Sequence, residues 1–408
     1  MKKIRNICLL FFLGFCFYSC KSITESEEII RKLNPKEARD YIGISEFAEE
    51  ISILQLKAPD EYPFGWIRQI FIKEKNIYVV DVKSNVVFIF NREGNFLAML
   101  NSIGRGPGEY NRIGPVFVDI NETYLETLTY TGEGFGFLRY SIPELVYLGF
   151  KPMIPLLIDS GVKVEEVYYL GNHQSINSIN QVSSNASLIV LCKDDEVQTY
   201  FDYERQIDDL FFSVHRDNFV VSKEGEVFFT RMYDNTFYKI NDCSVEPALR
   251  VDYGKFGIDN SIHTLPGREQ IRYLREAAGL ASFPFLKAYN SNLLVISYYF
   301  KDRESLFNEP LFRNEDQVHY IEIGSKSKVF HARKIRNDLS DFPPYVFNGP
   351  EYRGISYNLV SGEFLIDIIL PDNSFRIQPE SIGSPQVKGL NHEYDDNSIL
   401  LVFVKLVP

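Results

Sequence analysis

The chain has 408 residues, 45% of them apolar and 14% aromatic, which is enough to bury a large core and too apolar for a disordered polymer. Lys and Arg number 43 against 55 Asp and Glu, a formal charge of −12. That balance repels polyanions, so nucleic acid is not an expected partner.

At the N-terminus, Lys2, Lys3 and Arg5 precede an apolar run from Ile7 to Phe17 that is too short to span a bilayer, the pattern of an export signal. The residues that follow are FYSC. Ser19 directly before Cys20 resembles the lipobox of bacterial lipoproteins, with Phe17 standing where the usual pattern has Leu. The resemblance implies removal of residues 1–19, acylation of Cys20 and attachment to a membrane through that lipid. Cys16 is a poorer site because bulky Phe15 precedes it. Loss of the three basic residues of the signal would take the charge from −12 to −15. Residues 20–45, which include the acidic stretch SITESEEII, read as a tether or linker.

Beyond the signal only Cys192 and Cys243 remain, neither in a CxxC pattern. Two cysteines allow at most one disulfide; each is expected as a buried free thiol, and no metal site follows from them.

From residue 46 onward the pattern is β. ISILQL (Ile51 to Leu56) alternates apolar and polar residues, and a further strand begins after Trp66, the single tryptophan. IYVVDV, VVFIF and the run from Asn95 to Leu100 are separated by two tight polar turns, the second containing Gly94. These four strands make one propeller blade. IGRGPGEY follows, where alternating glycines and Pro107 enforce an ordered turn-rich connection.

A second group of four runs through PVFVDI, YLETLTY, GFLRYSI and LVYLGF. The third is less regular: VEEVYYLG, a polar stretch from Asn172 to Asn185 read as a surface loop, then SLIVLC and VQTYFDY. The fourth restates the first. NIYVVDVKSNVVFIFN aligns with EVFFTRMYDNTFYKIN at a constant offset of 150, pairing Asn85 with Asn235 and Asn91 with Asn241. That offset is about three units of roughly 50 residues and argues for an internal repeat.

REQIRYLREAAGL has apolar residues at helical spacing and predicts a short inserted helix. LLVISYYF and VHYIEIG form a fifth group, and a sixth is expected to begin near SKVFHARKI and run through GISYNLVSGEFLIDII to ILLVFVKLV. ISILQL is the candidate strand from the N-terminal side that closes the last blade and removes its open edge.

IYVVDVKSNVVFIFNREGNFL followed by GRGPGEY, with MYDNTFYKI, IRNDLS and YDDNSILLVFVKL, resembles the six-bladed β-propeller lipoproteins of Bacteroides-type bacteria, related in architecture to NHL-repeat propellers. The resemblance implies an all-β fold over residues 46–408: six four-stranded antiparallel blades, with terminal strands closing the ring. It also implies a cell-envelope location as an outer-membrane lipoprotein, facing either the periplasm or the surface. It supplies no catalytic residues.

GRGPGEY lacks the Gly-Lys-Ser/Thr ending of a phosphate loop. Arg105, Glu109 and Tyr110 are its candidate ligand-binding residues, with the arginine as a planar donor to a carboxylate or sugar hydroxyl. The competing reading has Arg105 and Glu109 paired with each other, stiffening a connection between blades. His173, His215, His263, His319, His331 and His392 are scattered without ligand spacing, so no metal and no cofactor is expected. The expected function is a non-catalytic binding or assembly module for a glycan, a peptide or an envelope protein. The alternative is a propeller lyase or hydrolase acting on saccharides or peptides.

Overall fold

A computed structural model describes residues 28–158, 160–172, 177–179, 182–184, 186–193, 196–202, 219–222, 225–231, 234–259, 261–262, 265–290, 292–304, 316–324, 328–339, 356–359, 364–370 and 398–407. The expected export signal and Cys20 lie outside these residues.

The first described strands are β1 (Ile29–Lys32), β2 (Ile42–Gly43) and β3 (Ala48–Lys57). Blade 1 is β4 (Ile67–Ile72), β5 (Asn76–Asp81), β6 (Val86–Asn91) and β7 (Phe96–Leu100); blade 2 is β8 (Val116–Val118), β9 (Tyr124–Thr131), β10 (Gly134–Ser141) and β11 (Tyr147–Pro152). Blade 3 holds β12 (Ser160–Val164) and β13 (Val167–Gly171), then a hairpin of β14 (Asn177–Ile179) and β15 (Val182–Ser184), then β16 (Ala186–Leu191) and β17 (Val197–Asp202). The polar stretch expected as loop therefore carries that hairpin.

Blade 4 is β18 (Phe219–Val221), β19 (Val227–Phe229), β20 (Thr236–Asn241) and β21 (Ser244–Asp252). The predicted helix follows as α1 (Gly267–Glu276). Blade 5 is β22 (Leu280–Asn290), β23 (Leu293–Lys301), β24 (Gln317–Ile323) and β25 (Lys328–Ala332). β25 is the outer strand of this blade, which corrects the expectation that SKVFHARKI opens the sixth group. β26 (Ile335–Arg336) pairs with β2, and β27 (Ser356–Leu359) runs parallel to β4 on the inner edge of blade 1. The last sheet joins β28 (Phe364–Ile369), β29 (Ser398–Leu406) and β3.

The chain is a six-bladed β-propeller whose ring is closed by strands from its two ends, Val402 standing opposite Ile53 in the β29–β3 ladder. One apolar cluster fills each junction between neighbouring blades. Val80 and Leu138 lie between blades 1 and 2, Phe137 and Leu170 between 2 and 3, and Val190 and Phe229 between 3 and 4. Phe237 and Ile296 lie between 4 and 5, Val295 and Val402 between 5 and 6, and Phe88 and Leu401 between 6 and 1. Blades packed on both faces need strands that are apolar on both faces, and VVFIF in β6 is buried throughout.

The internal repeat has a structural counterpart. Residues 86–91 form the third strand of blade 1 and residues 236–241 the third strand of blade 4, at the offset of 150 seen in the sequence. The copies diverge afterwards: Gly94 at φ 84° belongs to a four-residue turn in blade 1, whereas Asp242 at φ 48° makes a two-residue turn in blade 4.

Two further expectations need correction. Cys192 and Cys243 are not free thiols but form a disulfide with a Cα–Cα distance of 6.1 Å, joining the turn after β16 in blade 3 to the turn after β20 in blade 4. Residues 29–43, expected within a linker, are built into the ring as a strap across the outside of blades 4 and 5. β1 adds a parallel fifth strand to blade 4, and the Arg39 amide donates to the His331 carbonyl on blade 5. Leu33 and Ile42 of this strap are buried.

Candidate functional site

Antiparallel blades sort their connections onto two faces. Those between first and second strands and between third and fourth strands never exceed five residues; residues 73–75, 92–95, 119–123 and 242–243 are examples. Among the described residues, the opposite face carries the longer connections, including 58–66, 101–115 and 153–158. Loops on a rigid scaffold are where binding groups concentrate. Three exposed aromatic side chains lie here, Tyr62 and Trp66 before blade 1 and Tyr130 at the tip of β9, whereas Phe96 is exposed beside the short turn 92–95 and Tyr41 on the N-terminal strap. The short-turn face also exposes aliphatic Ile120 and Val146.

Trp66 is 45% exposed, and the backbone beneath it is fixed by Asp81, which is wholly buried at the end of β5. The Asp81 carboxylate accepts from the amides of Gly65 at 2.6 Å and Trp66 at 3.0 Å on one side, and from Lys83 at 2.9 Å and Ser84 at 3.2 Å on the other. One side chain thus ties the entry of the innermost strand to the β5–β6 turn. The Asn101 side-chain amide donates to the Tyr62 hydroxyl at 3.4 Å, joining this loop to the connection that carries GRGPGEY. That connection in turn meets the β9–β10 turn, where a Cβ on Gly132 would lie 2.3 Å from the Arg105 carbonyl oxygen. Tyr62 and Trp66 on one side and Tyr130 on the other therefore sit on segments that each touch the connection carrying Arg105.

Within GRGPGEY the three candidate residues are separated by role. Tyr110 is fully buried and presents no surface to a ligand. Its hydroxyl donates to the Asn85 carbonyl at 2.8 Å and reaches the Leu100 carbonyl at 3.4 Å, and burial pushes the phenol up to about 12. Asn85, at φ 56°, also accepts from the Ile113 amide through its side chain. Glu109 folds back to accept from the Gly106 amide at 2.7 Å, and a Cβ on Gly104 would lie 2.0 Å from its carboxylate and push that side chain aside. The Tyr140 hydroxyl holds the Gly108 carbonyl at 2.8 Å. The motif is a wedge between blades 1 and 2, stiffened by Glu109 bonding to backbone. Arg105 alone of the three is exposed.

Three buried carboxylates lie at blade junctions. Glu126 on β9 accepts from both Arg139 Nε at 2.9 Å and Nη2 at 2.8 Å, from Lys163 Nζ at 2.9 Å, and from the Tyr168 hydroxyl at 2.6 Å. Burial pushes this carboxyl up, but the Tyr168 bond and the Lys163 charge outweigh it and hold the carboxyl below its ordinary range. At the junction before it, Glu122 accepts from the Tyr78 hydroxyl at 2.8 Å and the Lys75 amide at 2.7 Å. Between blades 4 and 5, Arg31 makes a two-pronged contact with Glu322 at 2.8 and 3.0 Å. These carboxylates are spent on joining sheets.

Of the six histidines, His319 and His331 lie within the described residues, both on blade 5. Ser297 Oγ lies 2.9 Å from His319 Nδ1, but both residues are buried, so the pair serves the blade interior and not a substrate. Tyr298 shares a 2.7 Å hydrogen bond with His331, whose burial lowers the imidazole to about 4. Sequence reasoning did not single out Asp81, Trp66 or Glu126 as site or junction residues. Trp66 carried a compositional signal, as the single tryptophan placed immediately before a strand. Glu126 carried none, since a glutamate within YLETLTY reads as an outward-facing position.

Residues 29–404 match the model of a domain of unknown function, DUF4934. Among curated proteins no sequence matches. A "Putative exported protein" from Bacteroides fragilis has a similar structure at 13% identity and a TM-score of 0.63, the alignment covering 93% of this chain and 99% of that one. A DUF4221 family member from Bacteroides vulgatus aligns at 12% identity and a TM-score of 0.46 over 88% of this chain and 97% of its own. At these identities the likeness is one of fold, whereas the family match spans nearly the whole propeller: the chain belongs to the DUF4934 family.

Proposed function

We propose that this protein is an envelope-anchored lipoprotein, held in the outer membrane by an acyl chain on Cys20, whose propeller binds a ligand or partner through its long-connection face. The observation that carries the reading is the grouping of exposed Tyr62, Trp66 and Tyr130 with Arg105 on touching connections, over an Asp81 clamp that holds the Trp66 backbone in place. Rigid aromatic faces beside a planar guanidinium suit a saccharide, with its apolar ring faces and hydroxyl rim, better than a flat protein surface. A peptide or an envelope protein is the other class of ligand. Location outside the cytoplasm is supported by the export pattern, by the Cys192–Cys243 disulfide, which persists in oxidising compartments, and by the description of the B. fragilis neighbour.

Two experiments test this. Mass spectrometry of the membrane fraction should find a mature chain beginning at acylated Cys20; an intact leader on soluble material would contradict it. Glycan arrays and pull-downs from envelope extracts with the mature protein should yield a ligand whose binding falls when Trp66 is replaced by Ala. Empty results from both would end the binding reading.

A further inference from the structure

We infer that the propeller is held with the rim of blade 4 toward the bilayer, so that the Trp66 patch on blade 1 lies away from the membrane. This rests on the anchoring at Cys20 proposed above and goes beyond it in naming which surface meets lipid.

The place of entry carries the first step. β21 is the fourth, outermost strand of blade 4, and β1 lies parallel along it, from Ile29 beside Leu249 to Lys32 beside Asp252. The described chain therefore begins on the outer rim of blade 4, where the Glu28 carboxylate lies 3.5 Å from Arg250.

That entry point is fixed. Arg31 grips Glu322 of blade 5 with two hydrogen bonds, Leu33 is buried, and the strap continues through the Arg39 amide to the His331 carbonyl and through β2 to β26. Sliding β1 along β21 would break all of these together.

Length decides the rest. The eight steps from Cys20 to Glu28 reach at most about 28 Å when fully extended, at about 3.5 Å per residue. A compact body of this size has a radius of gyration of about 21 Å, so its opposite rims are on the order of 50 Å apart. Chain order and the six filled junctions place blade 1 three blades from blade 4, diametrically across the ring. Trp66 immediately precedes the innermost strand of blade 1. It is thus held away from the bilayer by its blade, open to a ligand arriving from the far side.

Energy transfer from tryptophan to a dansyl-labelled lipid tests the geometry. The mature chain is coupled through Cys20 to maleimide-lipid vesicles, Cys192 and Cys243 being consumed in their disulfide. Native Trp66 is one reporter; Ile30→Trp and Ile120→Trp, each in a Trp66→Phe background, are the others. Ile30 and Ile120 are 42% and 69% exposed, so neither substitution disturbs the core. The expected order of transfer is Ile30→Trp highest, Ile120→Trp lower and Trp66 lowest. Equal transfer from all three, or Trp66 transferring as strongly as Ile30→Trp, would overturn the orientation. Because the vesicles supply the lipid, this result stands apart from anchoring in the cell, which unacylated Cys20 in native membranes would refute.

Discussion

The Tyr168 hydroxyl on blade 3 donates to the Glu126 carboxylate on blade 2 across 2.6 Å, in a junction where Lys163 is also almost wholly buried. Charge buried this deeply is stable only while its partners remain. Replacing Glu126 by Ala strands the Lys163 ammonium and is expected to cost about 3–5 kcal/mol, whereas Tyr168→Phe removes one hydrogen bond to a charged group and costs about 1.5–3 kcal/mol. Urea denaturation of the two variants checks the ranking.

The same carboxyl sets an acid limit. Its folded-state pKa lies below the unfolded value, so the unfolded chain binds the proton first as pH falls. Its contribution is complete above the ordinary glutamate range and disappears as pH falls through the lowered value. Lys163 has the opposite sense: burial lowers its pKa, but the Tyr124 and Glu126 contacts outweigh that and raise it, so its contribution fades only in strong alkali. A Glu126→Gln variant should lose less stability than the wild type between neutrality and acid, measured as melting temperature against pH.

His331 adds a second acid-sensitive element with a different window. Its imidazole is lowered by burial from 6.5 to about 4, so stability is complete above about 6.5 and falls as pH drops from there toward 4. His331→Gln, which keeps a hydrogen-bonding group near the Tyr298 hydroxyl, should flatten the stability curve across that interval.

The wedge at GRGPGEY gives a graded series. Gly108 sits at φ 73°, and a Cβ there would lie 2.6 Å from the Tyr147 ring, so Gly108→Ala should cost about 1–3 kcal/mol. Tyr110→Phe leaves the Asn85 carbonyl without its donor and should cost about 1–2 kcal/mol. Arg105→Ala should leave stability within about 0.5 kcal/mol, since the side chain is exposed. Thermal melts rank the three, and any effect of Arg105→Ala on ligand binding is then separable from folding.

Reduction of the Cys192–Cys243 disulfide frees a segment closed over a sequence separation of 51, which chain entropy values at about 4 kcal/mol. A lowered melting temperature in reductant, and a linked peptide pair in a non-reducing digest, are the expected results.

Much of this architecture was legible because it follows from local periodicity. Strands such as IYVVDV and VVFIF need apolar faces on both sides, and the offset of 150 survived as the same six-residue strand in blades 1 and 4. ISILQL alternated visibly and does complete the last sheet. What escaped was set by contacts distant in sequence. The disulfide joins turns with no local pattern, and the strap hides because only scattered residues such as Leu33 and Ile42 are buried. The boundary between blades 5 and 6 was misplaced because tight turns within a blade and short links between blades look alike. Tyr110, read as a ligand contact, is buried by a partner carbonyl at Asn85, 25 residues away.

The central claim is that ligand is taken up on the long-connection face around Trp66, and the single tryptophan makes it directly observable. Fluorescence titration of the mature protein with envelope saccharides and peptides should find a ligand that shifts Trp66 emission and binds at least about tenfold more weakly to Trp66→Ala, while Ile120→Ala on the opposite face binds normally. A ligand that binds by calorimetry yet leaves Trp66 emission unchanged, and whose affinity falls with Ile120→Ala instead, would contradict it.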